Sequence, residues 1–443
     1  MDNFTVRPAW TITAAACAAF LIALPACNVV GAGPPAADTI KIGVDLPLTG
    51  PEGRAGRGAL NGIRFFVHQH ATLDGLSVAI DARDDTSTPT NADRGLQNLQ
   101  AFIADPHVVA MIGPFDSSTA RAQIPIANQA RLAMVTPATS NRCLTKEPYL
   151  PAALNPRRTP ISCAAAGLPS PKDLRPTGSN NYFRLSTTDE LQGPAAADFA
   201  STHLHLKRVA VLSDGEAYGQ ALADGFIARF DKLRGTVVAA QQFDPSQSPD
   251  LTGFLQRAKN DGAQGVYFGG ASADHGCAVR QQMAAVFGPG EAAPFMGGDG
   301  IALDPACLRD AGTNATGIYA TVPGLDAQRI DSAQPVIRAF RTEFGRPTDY
   351  GAYTVAAYDA AGVLYSALDR AIRATGGKLP ARDSVVAELA TTTTFTGATG
   401  TFGFDKAGDT TLRQLSVYES PAAASKGGWT WVGSVDYSAA LPY

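Results

Sequence analysis

Roughly 150 residues apart, this chain repeats one local design. Val108-Val109-Ala110-Met111-Ile112-Gly113-Pro114-Phe115-Asp116-Ser117-Ser118-Thr119 is a short apolar run that ends in glycine and small polar residues, then opens a helix. Gly265-Val266-Tyr267-Phe268-Gly269-Gly270-Ala271-Ser272-Ala273-Asp274-His275-Gly276 follows the same plan. Each is followed by a second short strand ending in a similar loop, Ala133–Ala138 and Pro294–Asp299. The pattern implies one α/β lobe built twice. Two such lobes facing each other clamp a small ligand between the loops at the C-terminal ends of their strands.

The rest of the chain extends this plan. Thr39 to Leu46 alternates apolar and polar residues as a strand does, Gly50 to Gly58 reads as a glycine-rich loop, and Ala59 to His70 has helical spacing. Leu76 to Ala82 is a second strand, and Leu96, Leu99, Phe102 and Ile103 mark the next helix. Strands alternating with helices predict parallel sheets covered on both faces. Residues 142–180 break the pattern with many prolines and no period, as an insertion on the rim would. Asn181 to Ser186 resumes a strand leading to a hinge, and strands at Val209–Leu212, Val237–Gln241, Val266–Gly269 and Phe295–Gly297 build the second lobe. Ile318 to Val322 leads back toward the first lobe, long helices follow at Val336–Phe344 and Tyr353–Ala374, and Phe395 to Trp431 reads as a β meander.

Length and charge exclude several classes. The 443 residues suffice for two full cores, and a net charge of −4 without a basic block argues against nucleic acid as a partner. Before residue 28, Arg7 is followed by an apolar run from Trp10 to Ala26, then by a Pro/Gly/Ala stretch. That is the pattern of a signal peptide over 1–27 with a flexible tether over 28–37. Leu24-Pro25-Ala26-Cys27 resembles a lipobox, which would make Cys27 a lipidation site on an exported chain anchored to the outer face of the cell membrane or in a periplasm; ordinary cleavage with a soluble product is the alternative. Setting Cys17 and Cys27 aside leaves Cys143, Cys163, Cys277 and Cys307. Four cysteines allow three pairings; Cys143–Cys163 and Cys277–Cys307 close short loops within one lobe each. A zinc site is the other reading, but no C-x-x-C or nearby histidine supports it. His68/His70 and His203/His205 are spaced i,i+2 and do not share a helix face. No nucleophile elbow, P-loop or zinc-protease motif is present, so the chain is not expected to be an enzyme, and no cofactor or metal is expected.

Several short motifs fall in a telling order: Ile40-Lys41-Ile42-Gly43 with Leu48-Thr49-Gly50-Pro51, Asp84-Asp85, Ile112-Gly113-Pro114 with Ser117-Ser118, and Thr136-Pro137-Ala138. Further on come Tyr218-Gly219, Gly297-Gly298-Asp299-Gly300 and Thr401-Phe402-Gly403-Phe404-Asp405 with Gly408-Asp409. In order and spacing the chain resembles a type I periplasmic binding protein of the leucine/isoleucine/valine-binding group, the receptor component of an ABC importer. The resemblance implies two Rossmann-like α/β lobes joined by a hinge that the chain crosses three times. The lobes would be 38–186 plus 322–395, with 142–180 as a disulfide-stapled insertion, and 187–321 plus 396–443. It implies a monomer whose partners are a small amino-acid-like ligand, an ABC permease and, through the lipid, the membrane. A ligand sensor of the same fold, signalling to a membrane or cytoplasmic partner, is the alternative.

The resemblance also names the residues that would hold a ligand. Ser117, at the opening of a helix, with Ala138 and Ser140, would grip a carboxylate; simple N-capping by Ser117 or Ser118 is the plainer reading. Asp299 would take the ammonium, against an Asx turn as the plain reading, and Tyr218 would pack on the ligand. Ala271 and Ser272 would add backbone groups from the Gly269-Gly270 loop. Two departures bear on specificity. Asp116 brings a negative charge beside the carboxylate site, and Arg54 and Arg57 sit where the side-chain pocket is bordered, free to meet Asp116, the ligand or solvent. They leave plain leucine or valine specificity open to question, with a polar amino acid, a short peptide, an amide or another small organic ligand as alternatives.

Overall fold

The computed structural model describes residues 39–86, 92–151, 160–289, 292–421 and 428–442. The segments expected to be a signal peptide and a tether, with Cys27, lie outside the described residues. Apolar runs bounded by small polar loops set the strands. In the first half these are β1 (Thr39–Leu46), β2 (Thr72–Leu73), β3 (Leu76–Asp84), β4 (Val108–Ile112), β5 (Ala133–Thr136) and β6 (Tyr182–Arg184). They form one sheet in the order β2-β3-β1-β4-β5-β6, parallel except for β2. Helices α1 (Gly53–Gln69), α2 (Asp93–Ala104) and α3 (Ser117–Gln129) connect them.

The second sheet holds β7 (Arg208–Ser213), β8 (Thr236–Gln242), β9 (Val266–Gly269), β10 (Phe295–Gly297) and β11 (Ile318–Pro323), with α4 (Asp189–Thr202), α5 (Ala217–Lys232), α6 (Thr252–Asn260), α7 (Gly276–Phe287) and α8 (Pro305–Ala311) around them. The chain continues through α9 (Ala333–Glu343), α10 (Thr354–Ala374) and α11 (Arg382–Ala390) to β12 (Phe395–Gly397), β13 (Gly400–Phe402), β14 (Gln414–Glu419) and β15 (Thr430–Asp436). The second sheet runs β15-β14-β11-β10-β9-β7-β8, with β14 and β15 antiparallel.

Each sheet is covered on both faces, as continuous apolar central strands require. Every residue of β4 and β9 is buried. On the first sheet, Leu60, Ile63 and Val67 of α1 join Ala360, Leu364 and Leu368 of α10 on one face, while Leu99, Phe102, Ile124 and Ala127 of α2 and α3 cover the other. On the second, Leu222, Phe226 and Phe230 of α5 pack on one face and Leu255, Val279 and Met283 on the other. Phe226 stacks on Tyr267 with centroids 4.1 Å apart. Phe226 and Phe230 are fully buried, and each such ring contributes roughly 1.5–3 kcal/mol.

Three local expectations need correction. The glycine-rich stretch 50–58 is not all loop, because α1 starts at Gly53 and its glycines allow close packing rather than flexibility. A Cβ on Gly56 would stand 1.8 Å from Pro47 O. The tail is not one meander: β12 and β13 pair only with each other, and Phe402 and Phe404 enter the first core, whereas β14 and β15 extend the second sheet. Ile318–Pro323 is itself a strand of the second sheet, held between β10 and β14. The chain therefore passes between the territories of the two sheets after Arg184, after Pro323, and between Asp409 and Gln414.

Disulfides join Cys143 to Cys163 and Cys277 to Cys307. The insertion stapled by the first does not hang free. Cys143, Tyr149, Leu150, Cys163 and Leu168 pack against Ala221 and Ala228 of α5. Tyr149 Oη donates to Asp224 Oδ2 at 2.7 Å, Asn141 Nδ2 donates to Ala217 O at 2.7 Å, and Arg142 pairs with Glu190 of α4. The insertion thus ties the loop after β5 to the first two helices of the second half. Among the described residues no helix is long and apolar enough to cross a membrane.

Candidate functional site

The loops at the C-terminal ends of both parallel sheets face one cavity. The β1–α1 loop is fixed by Asp84, which accepts from Leu48 N at 2.8 Å, Thr49 N at 3.2 Å and Thr49 Oγ1 at 2.5 Å. That fixed loop delivers Glu52 and, in the first turn of α1, Arg54. The turn after β4 depends on Gly113, whose φ is +120° and whose Cβ would fall 2.2 Å from Asp45 O. On the opposite side, α5 approaches β9 through a pair of glycines. A Cβ on Gly269 would lie 2.0 Å from Gly219 O, and one on Gly219 would lie 2.5 Å from Gly269 O. Only glycine lets the first turn of α5 seat Tyr218 over the strand end.

The cavity has two joined compartments, of about 70 Å³ and about 40 Å³, that share Glu52, Phe115, Asp299, Gly300 and Tyr353. The structure brings every candidate ligand residue to it. Ser117, Ala138, Ser140, Tyr218, Ala271 and Asp299 line the inner compartment, and Arg54 and Ser272 line the outer one. Arg57 turns away, donating to Leu48 O at 2.5 Å.

Asp299 is held in place before any ligand arrives. Its Oδ1 accepts from Tyr218 Oη at 2.7 Å and from Gln192 Nε2 at 2.5 Å. Tyr218 Oη in turn accepts from Gly300 N at 2.9 Å, and Gln192 Nε2 also donates to Thr321 O at 3.0 Å. Burial raises the proton affinity of the Asp299 carboxyl, and the Tyr218 and Gln192 hydrogen bonds work against that rise.

Across the cavity, the helix N-terminus is already capped, and by neither serine. Asp116 is the N-cap of α3 and accepts from Ser118 N at 2.7 Å and Thr119 N at 3.0 Å. Ser117 Oγ accepts from Ser140 N at 3.4 Å and Asn141 N at 3.2 Å, so its own hydrogen remains free to donate. Ala138 N and Thr139 N both donate to Thr136 Oγ1, at 3.2 and 3.3 Å. Neither Arg54 nor Arg57 pairs with Asp116; Arg54 stands near Asp304.

Sequence reasoning missed several acids here. Glu52, Asp214, Glu216 and Asp274 line the cavity with Asp116 and Asp299. Burial first, and then the charge of Asp116, hold Glu52 well above the usual carboxyl range. Burial, then neighbouring Asp274, does the same for Asp214, and burial brings Asp274 to about 6. A signal for two of them existed: Asp214-Gly215-Glu216 follows β7 as Asp116 follows β4. Gln192 and Tyr353 carried no local signal. Among the described residues no group of three or more His, Cys, Asp or Glu is arranged to hold a metal ion.

Two α/β lobes, a chain that passes between them three times and a solute-sized cavity between their strand ends define a two-lobed solute-binding protein. A family model for periplasmic binding proteins matches residues 39–427, and the chain belongs to that family, in its type I, leucine/isoleucine/valine-binding group. It is 26% identical over 388 residues to a leucine-, isoleucine-, valine-, threonine- and alanine-binding protein of Pseudomonas aeruginosa, covering 87% of this chain and 90% of that one. The leucine-binding protein of Thermotoga maritima superposes with a TM-score of 0.71 at 23% identity, covering 90% of this chain and 99% of that one. An ABC-transporter solute-binding protein of Rhodopseudomonas palustris, solved with 3,4-dihydroxybenzoic acid, superposes at 0.67 with 22% identity, covering 90% and 98%. These are substrate-binding proteins and not enzymes.

Proposed function

We propose that this protein is the extracytoplasmic receptor of an ABC importer, and that it binds an amino acid of the branched-chain type, or a related polar amino acid or amide, between its lobes. The observation that carries the reading is Asp299, oriented by Tyr218 and Gln192 on the wall of a cavity that Ser117 and Ser140 line from the other lobe. In this reading the ligand's ammonium sits on Asp299. The free hydroxyl hydrogen of Ser117 meets its other end, with Ser140 beside it. Ala138 and Ala271 form walls, and Arg54 borders the outer compartment that receives the side chain. Binding draws the lobes together, because the ligand touches both and favours the closed arrangement by the difference in contacts. Cys27 anchors the exported chain to the membrane through lipid, and the receptor works as a monomer that docks on its permease.

A thermal-shift screen of the purified protein against amino acids, amino-acid amides, short peptides, sugars and simple carboxylates tests the reading. A ligand at a thousand times its Kd adds roughly 4 kcal/mol of stability. A hit with an α-amine that disappears in Asp299→Ala supports it. Hits confined to compounds without an amine, unchanged in Asp299→Ala, refute it while leaving the two-lobed fold intact.

A further inference from the structure

The cavity holds more carboxyl groups than one ammonium needs. From the first lobe come Glu52 and Asp116; from the second come Asp214, Glu216, Asp274 and Asp299. Arg54 is the one cationic side chain lining either compartment among the described residues, and it stands in the outer one near Asp304. Arg121 lies near Asp116 and Glu216, and His275 lies near Asp274, but neither lines these compartments.

One of these acids is left waiting. Glu52 Oε2 is buried and has no hydrogen-bonding partner. Asp214, 2% exposed, shares a hydrogen bond with the carboxyl of Asp274, so that pair meets its need within its own lobe. Burying an uncompensated carboxylate is costly, and a cation delivered by a ligand removes that cost. Anions find the opposite situation. Asp116 takes the first amides of α3, Thr136 takes those of Ala138 and Thr139, and Ser117 takes those of Ser140 and Asn141. What remains for a carboxylate is hydroxyl hydrogens in a negative field.

Building on the reading of this cleft as an amino-acid-type site, we propose that its ligand carries net positive charge, with one amine held by Asp299 and a second cationic nitrogen held by Glu52. The two carboxylates come from opposite lobes and border both compartments. Bringing the lobes together without a cation sets acid against acid; a ligand positive at two points gains a contact on each lobe as they close. The amino-acid reading of the cleft makes that cation an organic one. L-lysine, L-arginine and a diamine such as putrescine share this chemistry, whereas leucine is a zwitterion of zero net charge.

The test is calorimetric titration of the full-chain protein with L-lysine, L-arginine, putrescine, L-leucine and 4-hydroxybenzoate. At least one of the three cationic probes should bind about tenfold or more tightly than L-leucine. Glu52→Gln should weaken that probe roughly 10- to 100-fold, the range for one hydrogen bond to a charged group. The melting temperature of unliganded Glu52→Gln should match or exceed wild type, since the amide replaces a carboxyl that is costly to ionise where it is buried. Should that variant not fold, the wild-type ranking of the five probes decides alone. L-leucine binding that needs Asp299, with no response to the three cations, overturns this inference and leaves the amino-acid reading standing. Binding by 4-hydroxybenzoate alone overturns both.

Discussion

The strongest single test of how this fold is held is the loss of the Asp409 carboxylate. Arg184, with no exposed surface, donates from Nε to Asp409 Oδ1 at 2.8 Å, from Nη1 to Asn141 O at 2.8 Å and from Nη2 to Thr145 Oγ1 at 2.5 Å. Lys146 Nζ reaches Asp409 Oδ2 at 2.8 Å. Burial pushes the Asp409 carboxyl up, but Arg184 and Lys146 outweigh it and hold the group at about 2, against an ordinary 3.8. With a folded value below the unfolded one, the ionised group stabilises the fold by about 2.5 kcal/mol above pH ~4, and this is lost as the pH falls through ~2. Asp409→Ala does more, because it strands a buried guanidinium, and breaking such a pair costs roughly 3–5 kcal/mol. For a lobe of this size that is a fall in melting temperature of about 6–20 °C. Urea unfolding of wild type and Asp409→Ala at pH 7 and at pH 2.5 measures both quantities. The gap between the two proteins should be large at neutral pH and shrink in acid. A gap below 1 kcal/mol at pH 7, or one of constant size at both values, would show that the pair is not what holds β6 to the 405–409 turn.

Other expectations concern the site and its supports. Gly219→Ala places a Cβ 2.2 Å from Asp214 Oδ1 and 2.5 Å from Gly269 O, so the first turn of α5 must shift. Ligand affinity should fall while most of the stability survives, and a titration showing unchanged affinity would argue that Tyr218 does not depend on this packing. Replacing Cys277 and Cys307 together by serine opens a link across 30 residues and should lower unfolding free energy by about 3–4 kcal/mol in denaturant melts, or by much less if the native contacts of α7 and α8 suffice. Tyr149→Phe and Arg142→Ala remove contacts made across the lobes by the insertion. Small-angle scattering of the unliganded double variant should show a larger radius than wild type; an equal radius would mean the insertion does not hold the lobes together.

The sequence alone determined the elements and their duplication. Apolar runs of four to eight residues ending in small polar loops marked nearly every strand of both sheets, because burial and period are local properties written within a few residues. The two disulfides were legible for a similar reason, since each joins cysteines in one stretch of chain. Ser117, Tyr218 and Asp299 were singled out by the resemblance of their motifs to those of the family, and they fall on loops at the C-terminal ends of parallel strands. Tertiary structure decided the rest. That Gln192 orients Asp299 from 107 residues away, and that Arg184 finds Asp409 225 residues on, depends on the path of the chain and leaves no local trace. Asp116 was visible, but whether it faced a ligand or capped its own helix was a question of side-chain direction. The insertion read as a rim loop and proved to reach α5 in the other half. The acid lining was present piecemeal in the sequence as Glu52, Asp214 and Asp274; only the facing of the two lobes gathers those carboxyls around one cavity, where burial and neighbouring acids raise their proton affinity.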